Sequence, residues 1–209
     1  MHCMMNSFYN RCDLCVINAT QVILNNAGIL FHLLNEIAIA YYLIIAASSV
    51  ILVKETKGRV YQLFSNIRGL KFVPITAAIL VVYAVFFQQY LNAIPVLNWG
   101  WLGYNVALGP NVDQGFFGIL PFIPVLIYML LHLNYYEELY FRKNKKLVVL
   151  WAFLHLTMGV QLHVAFALLP VGFIYKYIYD KHGINTAYSA HFGTNIFIVS
   201  AMLAAYLID

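Results

Sequence analysis

The chain has 209 residues, 63% of them apolar and only 10% charged, with a net charge of +4. A soluble domain of this size carries roughly 45–50% apolar and about 25% charged residues, so this one lacks the polar side chains to cover a water-facing surface. Its basic residues lie in short clusters between apolar runs rather than in one patch, which argues against a nucleic-acid partner and for a lipid bilayer.

Residues 1–28 form a short N-terminal segment rich in Asn, without the basic start or cleavage box of a secretory signal. Cys12 and Cys15 have CxxC spacing there, with Cys3 and His2 nearby; this is half of a zinc site, or a set of unpaired thiols. A membrane-crossing helix needs roughly 20 apolar residues, and apolar runs at about 29–53, 71–91, 116–141 and 186–208 meet that need. The stretch 147–179 is too long for one crossing and short for two. Gly159-Val160-Gln161 divides it into 147–160 and 161–179, because Gly weakens a helix and a polar residue follows. A single helix bent at Pro170 is the competing arrangement. The predicted fold is therefore all-α, a polytopic membrane bundle of about six transmembrane helices. Residues 29–115 supply two helices and an outer loop, and 116–209 form the core. Within the loop, Trp99, Gly100, Trp101, Gly103 and Pro110 suggest a segment resting on the outer leaflet.

Basic residues orient the bundle. Lys54, Lys57, Arg59, Arg68 and Lys71 fall in the first loop, Arg142, Lys143, Lys145 and Lys146 in the third, and Lys176 and Lys181 in the fifth. The second loop, 92–115, has none, so eleven of twelve basic residues fall on one side. The positive-inside rule makes that side cytoplasmic, predicting a multi-pass protein of the cell membrane with both termini outside.

Ionisable groups inside apolar runs are costly and mark candidate functional positions. Glu137 and Glu138 end the third run, His155 lies in the fourth, and His191 with Asn195 in the sixth. Adjacent helical residues diverge by about 100°, so the two glutamates cannot face the same neighbour. Glu138 stands four before Arg142, the order that favours a helical ion pair, which leaves Glu137 free to face elsewhere. At a rise of about 1.5 Å per residue, Glu137 and His191 lie roughly 7 Å, and His155 roughly 13 Å, from the cytoplasmic boundary. One pocket near that face can hold all of them.

Three patterns then stand in order: EExxxR from Glu137 to Arg142, an aromatic-xxx-His element from Trp151 to His155, and HxxxN from His191 to Asn195. Together they resemble the CAAX-protease and bacteriocin-processing family of glutamic intramembrane proteases, over about residues 116–208. The resemblance implies an intramembrane peptide-bond hydrolase. Glu137 and His155 would activate water, Glu138 and Arg142 would hold the motif helix, and His191 and Asn195 would stabilise the oxyanion. A carboxylate and an imidazole suit general acid–base work, and polar donors suit the developing negative charge. The implied partner is a peptide or membrane-protein substrate, with no cofactor and no metal required. This chain has only eighteen positions between Glu137 and His155, Lys143 directly after Arg142, and Trp rather than Phe opening its second motif.

Other chemistries find less support. HExxH, GxSxG and a Gly-rich phosphate loop are all missing from the sequence. Zinc held by Glu137, His155 and His191 is chemically compatible with those ligand types. Two further readings stay open: a non-catalytic immunity or scaffold protein of the same family, and a bis-histidine haem protein or small transporter. His32 and Glu36, four apart in the first run, are expected to pair at a helix interface, and His132 and His163 to be structural.

Overall fold

The structure is a computed structural model that describes residues 53–102, 105, 119 and 123–208. All of them belong to one compact unit within Tyr42–Asp209. Cys12, Cys15, His32 and Glu36, most of the 29–53 run and most of the outer loop lie outside the described residues.

Among the described residues every regular element is helical, which gives the all-α class. Helix α1 is Val53–Ser65. α2 runs Ile67–Asn92, opening as a 3-10 turn at Ile67–Phe72 and loosening to a π-turn at Tyr83–Phe87. α3 covers 123–141, with a π-turn at Met129–Leu133 between Ile123–Tyr128 and Asn134–Phe141. α4 is Lys145–Leu154, prolonged by a 3-10 turn at His155–Met158; α5 is Leu162–His182 and α6 is Ile184–Ile208. Of these, Ile67–Asn92 and Leu162–His182 are long and apolar enough to cross a membrane by length and composition. On α2, Val85, Phe86, Phe87 and Tyr90 all face outward.

The charged stretch after residue 53, expected as a loop, is the helix α1. Its Glu55 and Arg59 form an i,i+4 pair at 3.1 Å, and such pairs support a helix that is not otherwise packed on all sides. Arg59 also lies over the Tyr135 ring of α3, 3.5 Å from its centroid, which docks α1 by a cation–π contact.

The division of 147–179 falls where the sequence places it. Gly159 takes φ 84°, a left-handed conformation that a Cβ disfavours, and α5 begins three residues later. Trp99 O accepts from the Leu162 N–H at 2.9 Å and Leu97 O from that of His163 at 3.0 Å, so the preceding loop fills two of the orphan donors at the start of α5. The Trp101 indole donates to Leu156 O at 2.6 Å. Both tryptophans therefore serve the helix break as well as the surface. α5 continues unbroken through Pro170.

Small residues let α2 and α6 meet closely. A Cβ on Gly69 would lie 2.3 Å from Thr186 O, and one on Gly193 2.6 Å from Leu70 Cδ2. The Thr76 and Thr194 hydroxyls bond across this contact at 2.6 Å, and Ser189 donates to Asn66 O at 2.8 Å. Close backbones with hydroxyl bonds between them are the usual packing of apolar bundles.

Candidate active site

The turn between α3 and α4 is short, and it sets the site. Asn144 caps α4 by accepting from the Leu147 N–H at 2.9 Å, so α4 folds straight back along α3. The Trp151 indole N–H then reaches Oε2 of Glu137 at 2.7 Å. Eighteen positions between Glu137 and His155 are enough because this turn is tight.

The expected Glu138–Arg142 pair is present and wholly buried. Arg142 donates through Nε and Nη2 at 2.9–3.1 Å, and both side chains have 0% exposure. The guanidinium also lies flat over Trp151, 4.0 Å from its ring centroid. Lys176 donates to Arg142 O at 3.1 Å while pairing with Asp180, so α5 caps the end of the α3 motif.

His191 of α6 sits between the two carboxylates. Its Nδ1 donates to Glu138 Oε1 at 2.8 Å, and its Nε2 faces Glu137 Oε2 at 3.7 Å. Tyr175 stacks on the imidazole with centroids 4.6 Å apart. Removing one member of a buried, hydrogen-bonded charge set costs about 3–5 kcal/mol, so this cluster joins α3, α4 and α6 firmly.

His155 closes α4. Its Nδ1–H donates to Trp151 O at 2.9 Å, and its ring meets the Trp151 edge at 4.7 Å. A neutral ring so bonded keeps Nε2 as a free acceptor.

Asn195 lies one turn along α6 from His191, and its amide donates to Oδ1 of Asn134 at 3.1 Å. Asn134 is 4% exposed, and its own Nδ2 has no partner among the described residues. Glu137, Glu138, Arg142 and His191 thus meet directly, His155 joins through Trp151, and Asn195 bonds instead to Asn134, three residues before Glu137. Among the described residues no set of three His, Cys, Asp or Glu is arranged to hold a metal.

Four contributors carry no signal of their own in the sequence. Trp151 reads as the aromatic start of a motif, yet its N–H orients Glu137. Tyr175 reads as one more apolar-helix aromatic. Asn134 has only its spacing of three before Glu137 to mark it. At Gly172 an added Cβ would lie 2.8 Å from Trp151 Cζ3, so this glycine makes the space in which the indole sits.

His132 and His163 have the structural partners expected of them. His132 Nε2 bonds Thr56 Oγ1 at 3.2 Å and its ring stacks on Tyr128. His163 lies between the Tyr83 hydroxyl and Asn92 Oδ1, the latter at 2.7 Å.

Comparison with family models, with curated proteins and with solved structures gives no match to this chain.

Proposed function

We propose that this chain is a glutamate-dependent intramembrane peptidase of the CAAX-processing type, embedded in the cell membrane by about six helices with its site near the cytoplasmic face. The observation that carries the reading is the meeting of Glu137, His191 and the His155–Trp151 pair inside an apolar bundle. Glu138 and Arg142 cancel each other's charge. Glu137 and the two imidazoles are left as the groups for general acid–base work, for which a carboxylate beside imidazole is a suitable set.

Glu137, oriented through Oε2 by Trp151, and His155 through Nε2 take a proton from water. The water oxygen bonds to the substrate carbonyl carbon, and the C=O π pair moves to oxygen as an oxyanion held by polar donors. Collapse of that intermediate breaks the C–N bond, and the proton held by Glu137 and His155 passes to the departing amine. The immediate products are a carboxylic acid and an amine, which become a carboxylate and an ammonium by passing the acid's proton to the amine, and no cofactor enters the balance.

Glu137→Gln tests the reading, because it keeps size and hydrogen bonding while removing the base. Folded protein should accumulate normally while cleavage falls by about 10²–10⁴-fold. Full cleavage by Glu137→Gln would overturn the glutamate mechanism, and no cleavage of any peptide by the wild type would favour the non-catalytic immunity or scaffold reading. Elemental analysis of the detergent-purified wild type should find no stoichiometric zinc. Zinc whose removal reversibly stops cleavage would replace the glutamate mechanism by metal chemistry.

A further inference from the structure

We propose that the buried Asn134 amide is the donor that meets the substrate carbonyl oxygen, and that Asn195 is its positioning residue; this rests on the hydrolase reading above. Asn134 is 4% exposed and its Nδ2 is unpartnered among the described residues. Leaving a buried donor unsatisfied costs about 1–3 kcal/mol, a cost that a bound acceptor removes. The Asn134–Asn195 bond decides which end of the amide is free. Asn195 Nδ2 donates to Asn134 Oδ1 at 3.1 Å, so the oxygen is occupied and the nitrogen is the open end.

Position agrees with that assignment. Asn134 stands three residues before Glu137 on the same helix, hence on the same face and one turn away. It directly follows the π-turn Met129–Leu133, a widened ring of the kind found at functional sites. Tyr188 holds this turn by donating to Leu131 O at 2.7 Å, which fixes the register at which Asn134 emerges. The two residues that the family resemblance assigns to the oxyanion are already engaged. The Asn195 nitrogen serves Asn134, and His191 is flanked by two carboxylates.

The test uses the full-length protein in vesicles with a set of internally quenched peptides, each carrying an apolar membrane-inserting half. Asn134→Ala should lower kcat by about 10²–10³-fold with KM little changed, as expected for loss of one oxyanion donor. Asn134→Asp keeps the acceptor for Asn195 but lacks the N–H, and should be equally impaired. Both variants should lower the unfolding temperature, Asn134→Ala by stranding the Asn195 amide and Asn134→Asp by burying a carboxylate, so kcat is read per folded molecule well below those temperatures, where a purely structural amide would leave it unchanged. Asn195→Ala should cost less, and should add nothing in the Asn134→Ala background. Wild-type kcat in Asn134→Ala, or multiplicative losses in the double variant, would overturn the assignment while leaving the hydrolase reading intact. No cleavage of any peptide by the wild type would remove both.

Discussion

Two buried histidines, His191 and His163, occupy opposite kinds of setting. His163 has a neutral partner at each ring nitrogen, the Tyr83 hydroxyl on Nδ1 and Asn92 Oδ1 on Nε2. Because an amide oxygen only accepts, Nε2 carries the proton and Nδ1 receives the tyrosine's. One neutral tautomer satisfies everything, and the ring joins α5 to both ends of the last turns of α2. His191 instead has Glu138 on one nitrogen and Glu137 near the other. A neutral His191 can donate to only one of them, and it donates to Glu138. A satisfied histidine ties helices together and stays inert, whereas His191 ties helices and also turns its second ring nitrogen towards Glu137. The difference separates architecture from proposed chemistry within one small bundle.

The largest expected effect comes from breaking the charged setting. Arg142→Ala leaves Glu138, at 0% exposure, with only His191 as partner. Thermal unfolding in detergent should report a loss of about 3–5 kcal/mol, the cost of stranding a buried charge. Glu138→Gln should destabilise less, since the amide still bonds to neighbours but Arg142 becomes an unneutralised cation. Unfolding of Arg142→Ala at the wild-type temperature would show that the cluster does not hold these helices.

A second expected effect lies at Gly172, where packing and proposed chemistry touch. An added methyl would lie 2.8 Å from Trp151 Cζ3 and 3.0 Å from Val148 Cγ1. Overpacking of this kind costs about 1–3 kcal/mol. The indole must shift, and its N–H to Glu137 lengthens with it, so Gly172→Ala should lose cleavage beyond what its unfolding temperature explains. Gly58→Ala is the control, with nothing within 4 Å of its added Cβ; on an exposed helix it should be neutral or stabilising by up to about 1 kcal/mol. Equal behaviour of the two variants would sever Gly172 from the site.

These effects also show which parts of the molecule are legible from sequence. Glu137, Glu138, His155 and His191 stand out because charge in an apolar run needs a partner, and the i,i+4 spacing to Arg142 names one partner outright. Gly159 is visible because glycine followed by a polar residue weakens a helix, and the break is there. The charged 54–65 stretch hides its helix, since lysines near a membrane face look the same in a loop and on a helix that docks by one arginine over Tyr135. Trp151 and Tyr175 hide in plain composition: an aromatic in an apolar helix reads as packing, and only the fold shows where an indole N–H points. The π-turn at Met129–Leu133 has no residue signature, because it depends on Tyr188 from a distant helix taking a carbonyl that the widened turn leaves to it. Long-range polar contacts of this kind cannot be read from local spacing.

The smallest expected effect tests the other half of the comparison, at His163. His163→Phe keeps a ring of similar size at a position 1% exposed but removes both polar ring atoms. The half-buried Tyr83 hydroxyl and the exposed Asn92 amide then each lose a partner, at less than the about 1–3 kcal/mol of a fully buried group without one. The backbone bond from His163 N to Leu97 O is independent of the side chain, so the start of α5 should keep its place. Unfolding temperature should therefore fall modestly. Adding Tyr83→Phe should recover part of it, because replacing both partners by apolar groups removes the stranded hydroxyl. Cleavage per folded molecule should stay at the wild-type value in both variants, measured well below their unfolding temperatures. A tenfold or greater loss there would mean that the two histidines are coupled, and the division between an inert tie and the proposed catalytic cluster would not stand.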